Sequence, residues 1–226
     1  MDRQLSFDLP VKPVLGRDDF FVSPTNALAV AMIDHPETWS GGKLALTGPA
    51  GSGKTHLAHV WASQTGARII SAADLATPEI PDLASGPVVI EDVPRIANDI
   101  PVQESLFHLH NLLLSENRLL LMTGQPSPNH WAMTLPDLQS RVQGAAHAVL
   151  SSPDDALLSA VLAKLFADRQ IAPKPDVIPY LVTRIDRSFD AAAKVVDLLD
   201  RASMDQARSL SRNLAAETLA NPQKTA

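Results

Sequence analysis

The apolar positions of this chain fall into two regimes. In the first, short continuous apolar runs recur: Leu44-Ala45-Leu46, Ile69-Ile70, Val88-Val89-Ile90, Leu119-Leu120-Leu121-Met122 and Ala146 to Leu150. Between them, apolar residues recur at helical spacing, as in Leu57, Ala58, Trp61 and Ala62, or Leu106, Phe107, Leu113 and Leu114, which share one side with His110. Strands that are apolar on both faces and alternate with helices predict a parallel sheet covered on both sides. The pattern places strands over 43–47, 67–70, 88–90, 119–122 and 146–150, and helices over 24–34, 55–65, 103–116 and 136–141.

After Leu150 the regime changes. Ser152-Pro153-Asp154-Asp155 combines a capping hydroxyl, a proline suited to the first helical position and acids in the first turn. Leu157, Leu158, Val161, Leu162, Leu165 and Phe166 then form an amphipathic stripe, and helices follow over 175–184, 188–202 and 206–219 with no further strand pattern. The chain reads as α/β: a five-stranded parallel base over 16–151 and a small all-helical lid over 152–226. Residues 1–15 read as a tail, broken by Pro10 and Pro13, in which Leu5, Phe7 and Leu9 alternate with polar residues.

Composition narrows the classes. The chain has 226 residues, 45% of them hydrophobic, which suits a packed base and lid. It has no cysteine, so disulfides and thiolate chemistry are excluded. The first residues carry an acid with no apolar run behind them, and no stretch of 18 apolar residues occurs, so neither a signal peptide nor a membrane partner is expected. The formal net charge of −6 argues against a domain built mainly to grip duplex DNA.

The chemistry centres on Gly48-Pro49-Ala50-Gly51-Ser52-Gly53-Lys54-Thr55, which fits G-x-x-x-x-G-K-[ST]. The glycines permit turns whose N–H groups point inward as an anion cradle, and a helix N-terminus faces the same anion. Lys54 supplies a mobile charge for the β- and γ-phosphates, and Thr55 a hydroxyl for Mg²⁺. The context, strand before and helix after, is the confirming one, so ADP or ATP with Mg²⁺ is the expected cofactor, with His56 in the first helical turn beside it. The third strand ends in Glu91-Asp92. Acids delivered beside a phosphate loop hold the metal's water shell, here Glu91, and orient the attacking water, here Asp92. Hydrolytic proteins use the reverse order of side-chain lengths, and a misplacement of order 1 Å costs about 10²-fold in rate. His56 and His59 are one turn apart and His108 and His110 face apart, with no third ligand in view, so a structural or solvent-facing role is expected for these histidines rather than metal binding.

These motifs, taken together, resemble the Hda family, DnaA-related AAA+ regulators of the replication initiator DnaA. Phe20-Phe21-Val22-Ser23-Pro24-Thr25-Asn26 is similar to the family's adenine-side segment, which implies nucleotide contacts for Phe21, Val22 and Asn26. Leu135 to Arg141 is similar to the motif that ends in the arginine finger, so the resemblance makes Arg141 a finger acting in trans. Arg184 to Arg187 and Leu199 to Ser203 resemble the lid. Gln4-Leu5-Ser6-Phe7-Asp8-Leu9 is similar to the family's motif for the DNA polymerase sliding clamp, with Gln4, Leu5, Ser6, Phe7 and Leu9 as its contacts. The resemblance implies a bacterial cytoplasmic protein, associated with the replisome and nucleoid, whose partners are DnaA and the clamp and which meets DNA mainly through the clamp. It leaves a homodimer open. Unlike DnaA, the sequence shows no DNA-reading helix-turn-helix domain before it stops at Ala226.

Two departures from the family pattern bear on activity. Asp190 stands where the lid usually carries an arginine that senses the γ-phosphate, with Arg187 one turn earlier as the alternative cation. Gln125 stands where related proteins carry an acid after the fourth strand. With Glu91, these predict a nucleotide binder with weak hydrolysis of its own. The expected function is an AAA+ adaptor that docks the clamp and stimulates hydrolysis of DnaA-bound ATP, preventing re-initiation. The rivals are a free-standing AAA+ ATPase of helicase-loader type, a small-molecule kinase and a DnaA-like origin binder.

Overall fold

The computed structural model describes residues 21–76, 79–206 and 208–220. Five strands, β1 (Lys43–Thr47), β2 (Arg68–Ser71), β3 (Val88–Glu91), β4 (Leu120–Gly124) and β5 (Ala146–Val149), form one sheet in the order β2-β3-β4-β1-β5. Every pairing is parallel, with Lys43 opposite Leu120, Leu44 opposite Ala146 and Ser71 opposite Glu91. Two of the three interior strands, β1 and β4, are buried at every position, which is why their sequences are apolar without alternation.

Alternate residues of these strands still go to opposite faces. Ala45, Val88, Ile90, Leu120 and Met122 pack beneath α4 (Ile100–Ser115) and α5 (Pro136–Gln143), where Trp131 closes the layer. Leu44, Leu46, Val89 and Leu121 pack beneath α1 (Ala27–Asp34) and α2 (Lys54–Thr65). There Trp39 and Trp61 pack with ring centroids 5.2 Å apart, and the Trp39 indole donates to the Met32 carbonyl. A short α3 (Ile80–Leu83), absent from the sequence reading, packs against α4 and adds Leu83 to that core.

A third core is all helical. It joins α6 (Asp155–Asp168), α7 (Val177–Val182), α8 (Phe189–Gln206) and α9 (Arg212–Ala220) through Leu162, Phe166, Leu181, Val196, Leu199 and Leu214. Tyr180 sits there under two guanidinium groups, Arg184 at 4.0 Å and Arg212 at 5.3 Å from its ring centre.

Several boundaries differ from the periodicity. α6 is capped by Asp154, whose carboxylate accepts from the Leu157 N–H, rather than by Ser152. α4 starts three residues before Gln103 because Asp99 caps it and Pro101 is tolerated in the first turn, where its missing N–H costs nothing. Among the described residues no helix is long and apolar enough to cross a membrane.

Candidate nucleotide site

The phosphate loop leaves the C-terminal end of β1 and turns into α2 through left-handed Gly53. Its glycines are required by close approach. A Cβ on Gly48 would lie 2.3 Å from the Leu150 carbonyl oxygen and 2.7 Å from the Ser52 hydroxyl. Gly51, at φ +67°, would bring a Cβ within 2.6 Å of the Ser188 Cβ. Around Pro49 and Ala50 the loop is exposed, and Ser52 is buried with a hydroxyl that makes no hydrogen bond. An orphaned hydroxyl and backbone held open by glycine fit a site shaped for an anion.

Lys54 is half-buried and its ammonium donates to the carbonyls of Gly48 and Pro49, both at 2.8 Å. Burial lowers its pKa, and the negative charges of Asp92 and Asp190 oppose that shift. Thr55 is exposed at the first turn of α2, open to Mg²⁺ bound with a nucleotide, and His56 follows it half-buried.

The two acids of β3 do different things. Glu91 has one buried oxygen, Oε1, without a hydrogen bond, and its Oε2 lies 3.9 Å from His59 Nε2. It therefore faces α2 one turn beyond Thr55. Asp92 adopts a left-handed backbone, φ 56° and ψ 43°, and its carboxylate is the one that acts on Lys54. Non-glycine residues hold that conformation only when the surroundings fix it. Here the Thr123 hydroxyl, at the end of β4, accepts from the Asp92 N–H at 3.1 Å. Thr123 was not singled out from sequence; a hydrogen bond between residues 31 apart leaves no local pattern. Gln125, which follows it, is exposed.

The lid reaches this loop directly. The Phe189 N–H, at the start of α8, donates to the Gly51 carbonyl at 2.8 Å, and an Asp190 oxygen lies 3.4 Å from where a Gly51 Cβ would stand. Asp190 thus lies against the phosphate loop at Gly51. Arg187, the alternative cation, pairs at the surface with Asp155 of α6 at 2.8 Å.

On the adenine side, Asn26 is buried, and both ends of its amide bind backbone. Its Nδ2 donates to the Phe21 carbonyl and its Oδ1 accepts from the Ser23 N–H. Asn26 therefore shapes the segment, while Phe21 and Val22 remain exposed to a ligand. The tail residues Gln4, Leu5, Ser6, Phe7 and Leu9, and Phe20, lie outside the described residues.

Arg141 lies at the other end of the sheet. It is exposed on the last turn of α5 and lines a cavity with Lys43, which opens β1, whereas the phosphate loop follows the close of β1. The five residues of β1 span roughly 16 Å, which separates Arg141 from the chain's own loop. Gln103, buried and not singled out from sequence, positions α5. Its Nε2 donates to the Ile96 and Ala97 carbonyls, and its Oε1 accepts from the N–H of Leu135, the cap of α5.

No family model matches the chain. The chromosomal replication initiator protein DnaA of Cutibacterium acnes is 24% identical over 203 residues, covering 79% of this chain and 40% of the relative. Domain III of the Thermotoga maritima replication initiation protein DnaA superposes with a TM-score of 0.78 at 18% identity, covering 94% of this chain and 98% of that domain. AMPPCP-bound DnaA from Aquifex aeolicus superposes at 0.71, with 18% identity, over 94% of this chain and 70% of that one. The Thermotoga maritima RuvB Holliday junction branch migration motor gives 0.62 at 17% identity, over 79% and 61% of the two chains. This chain is thus similar in sequence to DnaA over most of its own length and shares the fold of DnaA domain III, while spanning about two fifths of the length of that curated relative.

Proposed function

We propose that this DnaA-related AAA+ chain is a nucleotide-binding regulatory adaptor that stimulates ATP hydrolysis by DnaA. Gly48 to Thr55 bind ADP or ATP, with Thr55 and Glu91 serving Mg²⁺ and Asp92 orienting the attacking water. The contact of Phe189 with Gly51 couples what the loop holds to the angle of the lid. Gln4 to Leu9 dock the sliding clamp, which brings the protein to DNA indirectly. Arg141 then enters the nucleotide site of ATP-bound DnaA.

The observation that carries this reading is the position of Arg141 at the opposite end of β1 from the phosphate loop. An arginine so placed serves a neighbour's nucleotide, and a finger supplied in trans raises hydrolysis by about 10³–10⁵-fold. The chain's own hydrolysis is expected to be weak. Asp190 sets a carboxylate beside the phosphates, and Glu91 is turned toward His59.

The test is ATP hydrolysis by DnaA with and without this protein, clamp and DNA. Stimulation that needs all three, is lost with Arg141→Ala and leaves nucleotide affinity unchanged is the expected result. Undiminished stimulation by Arg141→Ala would remove the finger. Brisk turnover by the isolated chain would instead favour a free-standing ATPase, for which the charge of Asp92 beside Lys54 is the supporting feature.

A further inference from the structure

Beside Arg141 lies a half-open cavity of about 170 Å³ lined by Gly41, Lys43, His110, Ser140, Arg141 and Gly144. At ~30 Å³ per water it holds a small polyatomic anion with part of its hydration. Its chemistry is one-sided. Lys43 is only 2% exposed, and its ammonium donates to the carbonyls of Gly41 and Arg118 at 3.0 and 3.1 Å. Two neutral acceptors leave a third N–H donor. None of the ion pairs among the described residues provides Lys43 or Arg141 with a carboxylate. His110 is buried on the same wall, and its Nδ1 has no hydrogen-bond partner. Its pKa is pushed down to about 4, first by burial and then by the positive charges of Lys43 and Arg141. A buried cation without a counter-charge is costly, and an anion in the cavity would relieve it.

We infer that this cavity is a phosphate site, distinct from the phosphate loop, in which Lys43 is the fixed charge and Arg141 the mobile one. The inference rests on Arg141 being a finger only for one of its two possible sources of phosphate. The group is either free inorganic phosphate or the terminal phosphate of a nucleotide held by a partner protein.

The experiment uses the full chain carrying Lys54→Ala, which silences the phosphate loop. Inorganic phosphate is titrated while the amide resonances of Gly41, Gly42 and Gly144 are followed. Saturable shifts confined to these residues, with affinity at least about tenfold weaker in Arg141→Ala or Lys43→Met, establish the free-phosphate source. Arg141→Glu, a surface change, serves if Lys43→Met fails to fold. In a second arm, Lys43→Met in the otherwise unaltered chain is assayed for stimulation of DnaA. A loss of about tenfold or more without free-phosphate binding assigns the site to the partner's terminal phosphate. Absence of both effects overturns the inference. Phosphate binding by a chain whose Arg141→Ala variant still stimulates DnaA would retain the site and sink the finger.

Discussion

Phe189 donates its backbone N–H to the carbonyl of Gly51 at 2.8 Å, so the first residue of α8 is hydrogen-bonded to the middle of the phosphate loop. The lid is therefore joined to the anion cradle by backbone, independent of side-chain identity at 189. Any change in the path of the loop at Gly51 is passed to α8.

A side chain at Gly51 should break this joint. Gly51→Ala places a methyl 2.6 Å from the Ser188 Cβ at a φ of +67°, both unfavourable. The expected outcome is a loss of about 1–2 kcal/mol in stability and faster hydrogen exchange at residues 189–192. Exchange mass spectrometry checks it; unchanged protection would show that the lid is held elsewhere.

Asp190 should disfavour a terminal phosphate more than a shorter one. Asp190→Asn removes the charge that acts on Lys54 and keeps the shape. The ratio of ATP to ADP affinity is expected to rise by roughly tenfold, about 1.4 kcal/mol. Equilibrium titration of both nucleotides measures it, and an unchanged ratio would place the carboxylate out of reach of the phosphates.

Gln103 should matter for both stability and the finger. Gln103→Leu leaves the N–H of Leu135 without its partner in the core, while the carbonyl of Ile96 keeps only the N–H of Asp99. A loss of about 3 kcal/mol is expected in denaturant unfolding, together with reduced stimulation of DnaA at unchanged nucleotide affinity. Full stimulation by the folded variant would mean that α5 holds its position without this clasp.

Acid should weaken the fold through His110. Its folded pKa, about 4, lies below its ordinary value of 6.5, so the unfolded chain binds the proton first. Stability contributed by neutral His110 is full above pH 6.5 and falls as pH drops toward 4, by roughly 3 kcal/mol at most. His110→Leu should flatten that part of the stability profile. A slope that is the same in the variant would assign the effect to other groups.

The parts of the fold that the sequence made legible are those encoded locally. Leu44 to Leu46, the glycine loop and the Leu57, Trp61 stripe predict β1, its turn and α2, because period and glycine spacing report burial and backbone shape directly. The shift of the α6 cap from Ser152 to Asp154 is a local ambiguity between two good capping side chains. The supports of the site were not legible. Thr123 holding Asp92, Gln103 holding Leu135 and Arg187 held by Asp155 are each contacts between distant residues, invisible to periodicity. The left-handed backbone at Asp92, held by Thr123, likewise left no local sign in the sequence.

The aromatic residues give the molecule two natural optical labels. All three tryptophans, 39, 61 and 131, lie in the layers around the sheet, and the single tyrosine, 180, lies in the helical core beneath its two arginines. Indole emission therefore follows the melting of the two layers on the sheet and phenol absorbance that of the helical core. The coupling between cradle and lid becomes readable as the coincidence, or the separation, of two colours in one heating curve.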